Sequence, residues 1–145
     1  MRAVSPSPAV PLLVGLVRTI RDCCQRKEGE ICRKLALTAS QFACLLCLPE
    51  QGGELNVHEV AETMGLSPSR TSRIVDSLVR AGLLARRAMD SDRRTQLVAL
   101  TFTGRQKWQL AHQLMVECEE QLLAKLKVQQ SQQLAETMKA LINAW

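Results

Sequence analysis

The sequence predicts a mainly α-helical protein with a small β-hairpin wing, in which a winged helix-turn-helix lies between N- and C-terminal helices. Two short helical stripes meet at a glycine turn, two alternating segments follow with a charged tip between them, and longer helical stripes occupy both ends of the chain. We therefore expect an N-terminal arm and helix over residues 1–36, a winged helix over 37–104 and C-terminal helices over 105–145.

The N-terminal helices are recognised by spacing and by a cap. Apolar residues recur at helical intervals over about residues 10–27, and Gly29 is expected to interrupt that helix. Thr38 is followed by Gln41 three residues later, which is the spacing of a capping box. A second helix is therefore predicted from Thr38 to about Leu48.

The helix-turn-helix is predicted from its punctuation. The first of its two short helices ends at Gly65, a natural C-terminal cap. Ser67 is expected to cap the next helix, with Pro68 at its first position, and that helix extends to Arg80. Two short helices joined by a glycine-containing turn are typical of this motif.

The hydrophobic period changes after the helix-turn-helix. Leu84–Met89 and Gln96–Thr101 alternate as strands do, and the polar segment 90–94 between them suits a hairpin tip. Helical spacing then returns over 105–127 and over 131–144.

The net charge of +5 is concentrated in one part of the chain. Residues 67–95 hold seven arginines against three aspartates, whereas residues 106–145 hold four lysines and four glutamates. A basic block beside a neutral helical block predicts a polyanion-binding surface next to a packing module.

A winged helix divides DNA recognition between two elements: the second helix enters the major groove, and the hairpin tip reaches the flanking backbone or minor groove. Arginine can grip guanine, and serine hydroxyls can serve bases or phosphates. At the tip we expect an aspartate to hold the turn while an arginine projects into the narrow minor groove. The predicted DNA-contacting residues are Ser67, Ser69, Arg70, Thr71, Ser72, Arg73, Arg86, Asp92, Arg93 and Arg94.

Two alternatives stay open at this point. Arg70 and Arg73 would also be compatible with a solvated helix surface. On the first strand, alternation places at most one of Arg86 and Arg87 on the DNA side, and a solvated strand face is the alternative for that pair.

The segments LTASQFACLLCL, LNVHEVAETMGLSPSRTSRIVDSLVRAGLLARR and DSDRRTQLVALTFTGR occur in that order, and together they resemble the MarR family of bacterial winged-helix transcription regulators. The wing pattern of that family is matched by Asp92, Arg94, Leu100 and Thr101. The resemblance implies a homodimer whose first and last helices intertwine with those of the partner. It also implies two recognition helices on a palindromic site in double-stranded DNA, most often in repression. A small-molecule effector, usually phenolic, or cysteine oxidation would switch such a regulator.

The six cysteines depart from the family pattern. If three or four of their thiolates converged near the junction of the first two helices, they would suit zinc or an iron–sulfur cluster. Plain burial and thiol oxidation are the alternatives, because the spacing is neither a zinc-ribbon nor a ferredoxin pattern. The candidate metal or redox residues are Cys23, Cys24, Cys32, Cys44 and Cys47, while Cys118 is assigned to the dimer core.

Other function classes find little support in the sequence. It holds no Gly-rich phosphate loop, no Ser–His–Asp set and no apolar run long enough to span a bilayer, and His58 and His112 are isolated. Three prolines also interrupt the N-terminal apolar segment, and no cleavage site follows. We predict a cytoplasmic, non-enzymatic regulator; the alternative is a cysteine-based redox or metal-binding protein in which the winged helix serves protein contact.

Overall fold

The computed structural model describes residues 9–89 and 95–143, and it confirms the predicted mainly α-helical fold with a small antiparallel sheet. No helix in these ranges combines the length and apolarity that a membrane crossing needs. The elements in chain order are α1 Ala9–Leu35, α2 Ala39–Cys47, β1 Leu55–Asn56, α3 Val57–Met64, α4 Pro68–Arg80, β2 Leu84–Ala88, β3 Gln96–Leu100, α5 Phe102–Leu123 and α6 Val128–Asn143.

The predicted caps of α2 and α4 are confirmed. The Thr38 side chain accepts a hydrogen bond from the Gln41 backbone N–H at 3.2 Å, and the Gln41 side chain accepts one from the Thr38 N–H at 2.9 Å. The Ser67 hydroxyl accepts from the Arg70 N–H at the start of α4. These bonds satisfy backbone donors that a helix start otherwise leaves unpaired, and they fix where each helix begins.

Helix α3 is capped at both ends. Gly65 ends α3 with φ of 64°, a left-handed conformation that suits glycine. Asn56 and Glu59 form a second capping box at the start of α3, which was not predicted.

The predicted interruption of α1 at Gly29 is wrong, since the helix continues to Leu35. A glycine inside a helix costs only about 1 kcal/mol, whereas the following turns bury Ile31, Cys32 and Leu35. The helix predicted from residue 105 begins earlier, at Phe102. The Thr101 hydroxyl accepts a hydrogen bond from the Gly104 N–H at 2.9 Å and so caps the start of α5.

The sheet has the order β1-β3-β2 and is antiparallel throughout. The hairpin of β2 and β3 pairs Leu84 with Leu100 and Arg86 with Val98. Strand β1 was not predicted, because two residues are too few to show a period of two.

Two buried clusters meet at α2. The first is the core of the winged helix, and the second joins α1, α2 and α5. Cys44 and Leu45 belong to the first, and Phe42 belongs to the second, so α2 connects the winged helix to the flanking helices. The first cluster comprises Cys44, Leu45, Leu48, Val60, Val75, Leu78, Leu83, Leu84, Val98 and Leu100, and the second comprises Ile31, Cys32, Leu35, Phe42 and Ala111.

Candidate DNA-binding surface

Helix α4 has one buried face and one exposed face. Thr71, Val75 and Leu78 recur at intervals of four and three residues and are fully buried. The opposite face presents its N-terminal turns to solvent, with Ser72 half-buried at the margin. The exposed predicted contact residues on this face are Ser67, Ser69, Arg70 and Arg73.

One residue predicted to contact DNA, Thr71, is not at the surface. Thr71 was expected to touch DNA, but its exposure is 0% and its hydroxyl has no hydrogen-bond partner in the described part of the chain. It lies one turn before Val75, so the packing of α4 against the core turns it inward. The prediction that Thr71 contacts DNA is therefore wrong.

The start of α4 adds electrostatic attraction for anions. The first N–H groups of a helix point out of its N-terminus and carry partial positive charge. Here that end lies beside Arg70 and Arg73, and the first turn contains no acidic residue. A phosphate or the edge of a base would therefore meet hydrogen-bond donors and positive charge together.

The two arginines of β2 point to different partners. Arg86 lies against α4, where its Nη1 atom is 3.0 Å from the Asp76 carboxylate. Arg87 pairs with Glu54, the residue before β1, through an Nε–Oε1 contact of 2.6 Å and a second contact from Nη2. Hydrogen bonding to Arg87 lowers the pKa of the Glu54 carboxyl. Only Arg86 therefore lies on the α4 side of the hairpin.

The far end of the hairpin falls partly outside the described residues. The Met89 N–H donates to the Thr95 carbonyl at 2.9 Å and closes the base of the loop. The predicted tip residues Asp92, Arg93 and Arg94 lie beyond that base, outside the described residues, and their roles stay predictions.

An open cavity of about 430 Å³ lies between the starts of α3 and α4 and the hairpin. Ser72 and Arg86 both line this cavity. These two predicted contact residues therefore lie beside the exposed face of α4 and not at its centre. The lining residues are Asn56, Val57, His58, Pro68, Ser72, Arg86, Thr95 and Gln96.

Comparison with known proteins agrees with this geometry. A model of the MarR family matches residues 37–95, the segment from just before α2 to the residue before β3.

This winged-helix segment is similar to the MarR family.

Its relatives include YfiV of Bacillus subtilis (strain 168), an uncharacterized HTH-type transcriptional regulator that is 37% identical over 68 residues. That match spans 47% of this chain and 42% of YfiV, so the chain spans less than half the length of this relative.

Solved structures of MarR-like proteins extend the likeness to the flanking helices. The YusO protein from Bacillus subtilis is 25% identical, with a TM-score of 0.74 over 96% of this chain and 100% of YusO. A MarR family protein from Bacillus stearothermophilus has a TM-score of 0.84 at 22% identity, over 97% of this chain and 98% of that protein. The fold of α1, α5 and α6 is thus shared as well as that of the winged helix.

The structure separates the predicted cysteine group. Cys44 is buried in the winged-helix core and Cys32 in the second cluster, while Cys23 and Cys24 are exposed. The uninterrupted α1 is the physical reason, because nine residues of helix place Cys23 and Cys32 roughly 13 Å apart along the axis. Nowhere in residues 9–89 and 95–143 are three or more His, Cys, Asp or Glu placed to hold a metal ion. The expected convergence of three or four thiolates is therefore not found.

The remaining cysteines are packed within the chain. Cys47 is half-buried against the first cluster. Cys118, assigned from the sequence to a dimer core, is half-buried against the second cluster of its own chain.

Burial also makes the thiols of α2 poor nucleophiles. It raises the pKa of the Cys44 thiol from 9.0 to about 12, with a further contribution from the neighbouring Cys47. Burial raises the pKa of Cys47 too, and burial together with Glu28 raises that of Cys32. Thiol oxidation proceeds through the thiolate, and these three sites disfavour it.

Alkylation of Cys44 should therefore be very slow in the folded protein. A pKa raised from 9.0 to about 12 lowers the thiolate fraction at pH 8, and we expect roughly a thousandfold slower reaction with iodoacetamide than in urea. Because the unfolded thiol ionises first, the free energy of unfolding should also fall as the pH rises from about 9 towards 12. Peptide mass spectrometry measures the first effect and urea titration the second. Equal alkylation rates with and without urea would contradict the burial of this thiol.

Proposed function

We propose that this protein is a homodimeric, sequence-specific DNA-binding transcription regulator that represses from a palindromic operator. The proposal rests mainly on the exposed N-terminal half of α4. There Arg70, Arg73 and two serines lie around a capped helix start. This set can donate to base edges and to phosphates at once, as a helix lying in the major groove must. The similarity of residues 37–95 to the MarR family supports the same function.

The flanking helices support a dimer. Leu16, Val17 and Ile20 of α1 are each more than half exposed. Helix α6 buries none of its described side chains, although Leu134, Met138 and Leu141 recur on one face of it. Apolar faces of this extent are favoured when another surface covers them. A second copy would cover them and would also place two α4 helices on one duplex, one per half-site.

The DNA role is tested with two arginines of α4 and a matched control. A duplex preferred by the wild-type protein is first selected from random sequence. Arg70→Ala and Arg73→Ala should each weaken binding to it about 10- to 100-fold, since one good base contact contributes about 1–3 kcal/mol. Arg80→Ala removes the same charge from the last turn of the helix, and its effect should stay below about threefold.

Salt dependence separates base contacts from phosphate contacts in the same titrations. A lost phosphate contact reduces the slope of log affinity against log salt concentration by about one. If the Arg70→Ala, Arg73→Ala double variant keeps both its affinity and its salt slope, the proposed DNA role of α4 is wrong. A wild-type protein that selects no sequence would favour the alternative in which the winged helix serves protein contact.

The dimer is tested on α6. Met138→Glu places a charge within the apolar stripe and should shift the protein towards monomer in analytical ultracentrifugation. Binding to a two-half-site duplex should then weaken at least about tenfold, because the two recognition helices are no longer linked. Gln132→Glu adds the same charge on the opposite side of α6, where Gln132 is exposed, and should leave the dimer intact. A monomeric wild-type protein, or a Met138→Glu variant that remains a dimer, would count against a dimer interface on α6.

We infer that a small-molecule effector, and not oxidation of the α2 cysteines, switches DNA binding. The groove beside Arg86 is the candidate position for such an effector, because it adjoins both α4 and the hairpin. The raised pKa values of Cys44 and Cys47 argue against a thiol switch in α2. With benzoate as the trial ligand, release of the selected duplex would support switching by a small-molecule effector. Release by peroxide that disappears in the Cys44→Ala, Cys47→Ala variant would instead establish a thiol switch.

A further inference from the structure

Helix α4 carries an acidic side chain close to its proposed DNA-reading residues. Asp76 follows Arg73 by one turn and is half-exposed. A negative charge near a polyanion weakens binding through simple repulsion. Its carboxylate lies 3.0 Å from the Nη1 atom of Arg86, in the middle of the first hairpin strand.

The guanidinium of Arg86 depends on this carboxylate. Its Nε and Nη2 atoms are buried and have no hydrogen-bond partner among the described residues, and the side chain is only 25% exposed. Asp76 therefore neutralises a charge that is otherwise poorly satisfied in its position. Without the carboxylate, the guanidinium would be left partly buried and unpaired, and it would move towards solvent.

We propose that Asp76 is a positioning residue that holds the hairpin wing against α4 through Arg86, so that both elements meet DNA in one relative orientation. This rests on the proposed DNA-binding function. Sequence reasoning placed Arg86 among the DNA contacts, whereas its ion pair gives it a role between two protein elements. The pair would contribute to discrimination between DNA sequences although Asp76 touches no base.

A separate contact holds the other side of α4. The Gln41 side chain donates from Nε2 to the Ser77 hydroxyl at 3.1 Å, and that hydroxyl donates to the Ile74 carbonyl at 2.7 Å. Helix α4 is thus tied to α2 by Ser77 and to the wing by the preceding residue. Loss of the Asp76 carboxylate leaves the α2 contact in place, so it should release the wing and not the helix.

The two possible roles of Asp76 predict opposite signs. If it only repels DNA, Asp76→Asn raises the affinity for every duplex. If it positions the wing, the same change lowers the affinity for the selected duplex while the affinity for an unrelated duplex does not fall. The ratio of the two affinities therefore separates positioning from repulsion and from a uniform loss of folded protein.

The experiment measures both affinities for the wild-type protein and for Asp76→Asn at two salt concentrations. We expect the specificity ratio to fall about five- to tenfold, which is the range of a partly buried ion pair. Asp76→Glu keeps the charge and should recover most of the ratio. Asp22→Asn makes the same change on the exposed surface of α1 and should leave the ratio unchanged.

A double variant guards against trivial loss of structure. If Asp76 and Arg86 act as a pair, Asp76→Asn combined with Arg86→Gln should reduce the ratio little further than either change alone. Thermal unfolding verifies that each variant is folded. Additive losses, an unchanged ratio in Asp76→Asn, or an equal loss in Asp76→Glu would each overturn the positioning role. A wild-type protein without sequence preference would overturn the proposed function, and the positioning role with it.

Discussion

Burial of α2 on two sides is the constraint on which the rest of the structure depends. Cys44 and Leu45 pack into the winged-helix core, while Phe42, on the same nine-residue helix, packs between α1 and α5. Leu45 and Phe42 each contribute about 1.5–3 kcal/mol when fully buried, so neither module can shift without uncovering apolar surface. The capping box at Thr38 fixes where this helix begins and hence which residues face each module.

Polar contacts then set the direction of α4 within that frame. Its inward face is apolar and buried, but apolar packing tolerates small shifts. The contacts of Ser77 with Gln41 and of Asp76 with Arg86 have defined lengths and lie on neighbouring residues of the helix. Hydrogen bonds and ion pairs are directional, and they add specificity of arrangement that burial alone does not supply. Under the proposed DNA-binding function, that arrangement sets the orientation in which α4 meets a duplex.

The cysteines show how environment decides the chemistry of one residue type. Cys23 and Cys24 are exposed on α1, whereas Cys44 lies in a core where the uncharged thiol is favoured and its pKa is raised. Spacing along the chain suggested that these residues approach one another near the junction of the first two helices. The continuity of α1 through Gly29 keeps them apart, and on α2 the two thiols fill space as small apolar groups.

The sequence by itself determined the caps of α2 and α4, the glycine turn before α4, the hairpin strands and the resemblance to the MarR family, because each depends on residues close together in the chain. The exposed set Ser69, Arg70 and Arg73 followed from the same local pattern. Other features depend on contacts between distant segments, and only the tertiary structure decided them. They are the burial of Thr71, the two-residue strand β1, the separation of the cysteines and the pairing of Arg86 with Asp76. Periodicity gives the faces of a helix, but the exact rotation of α4 against its neighbours depends on packing across the molecule.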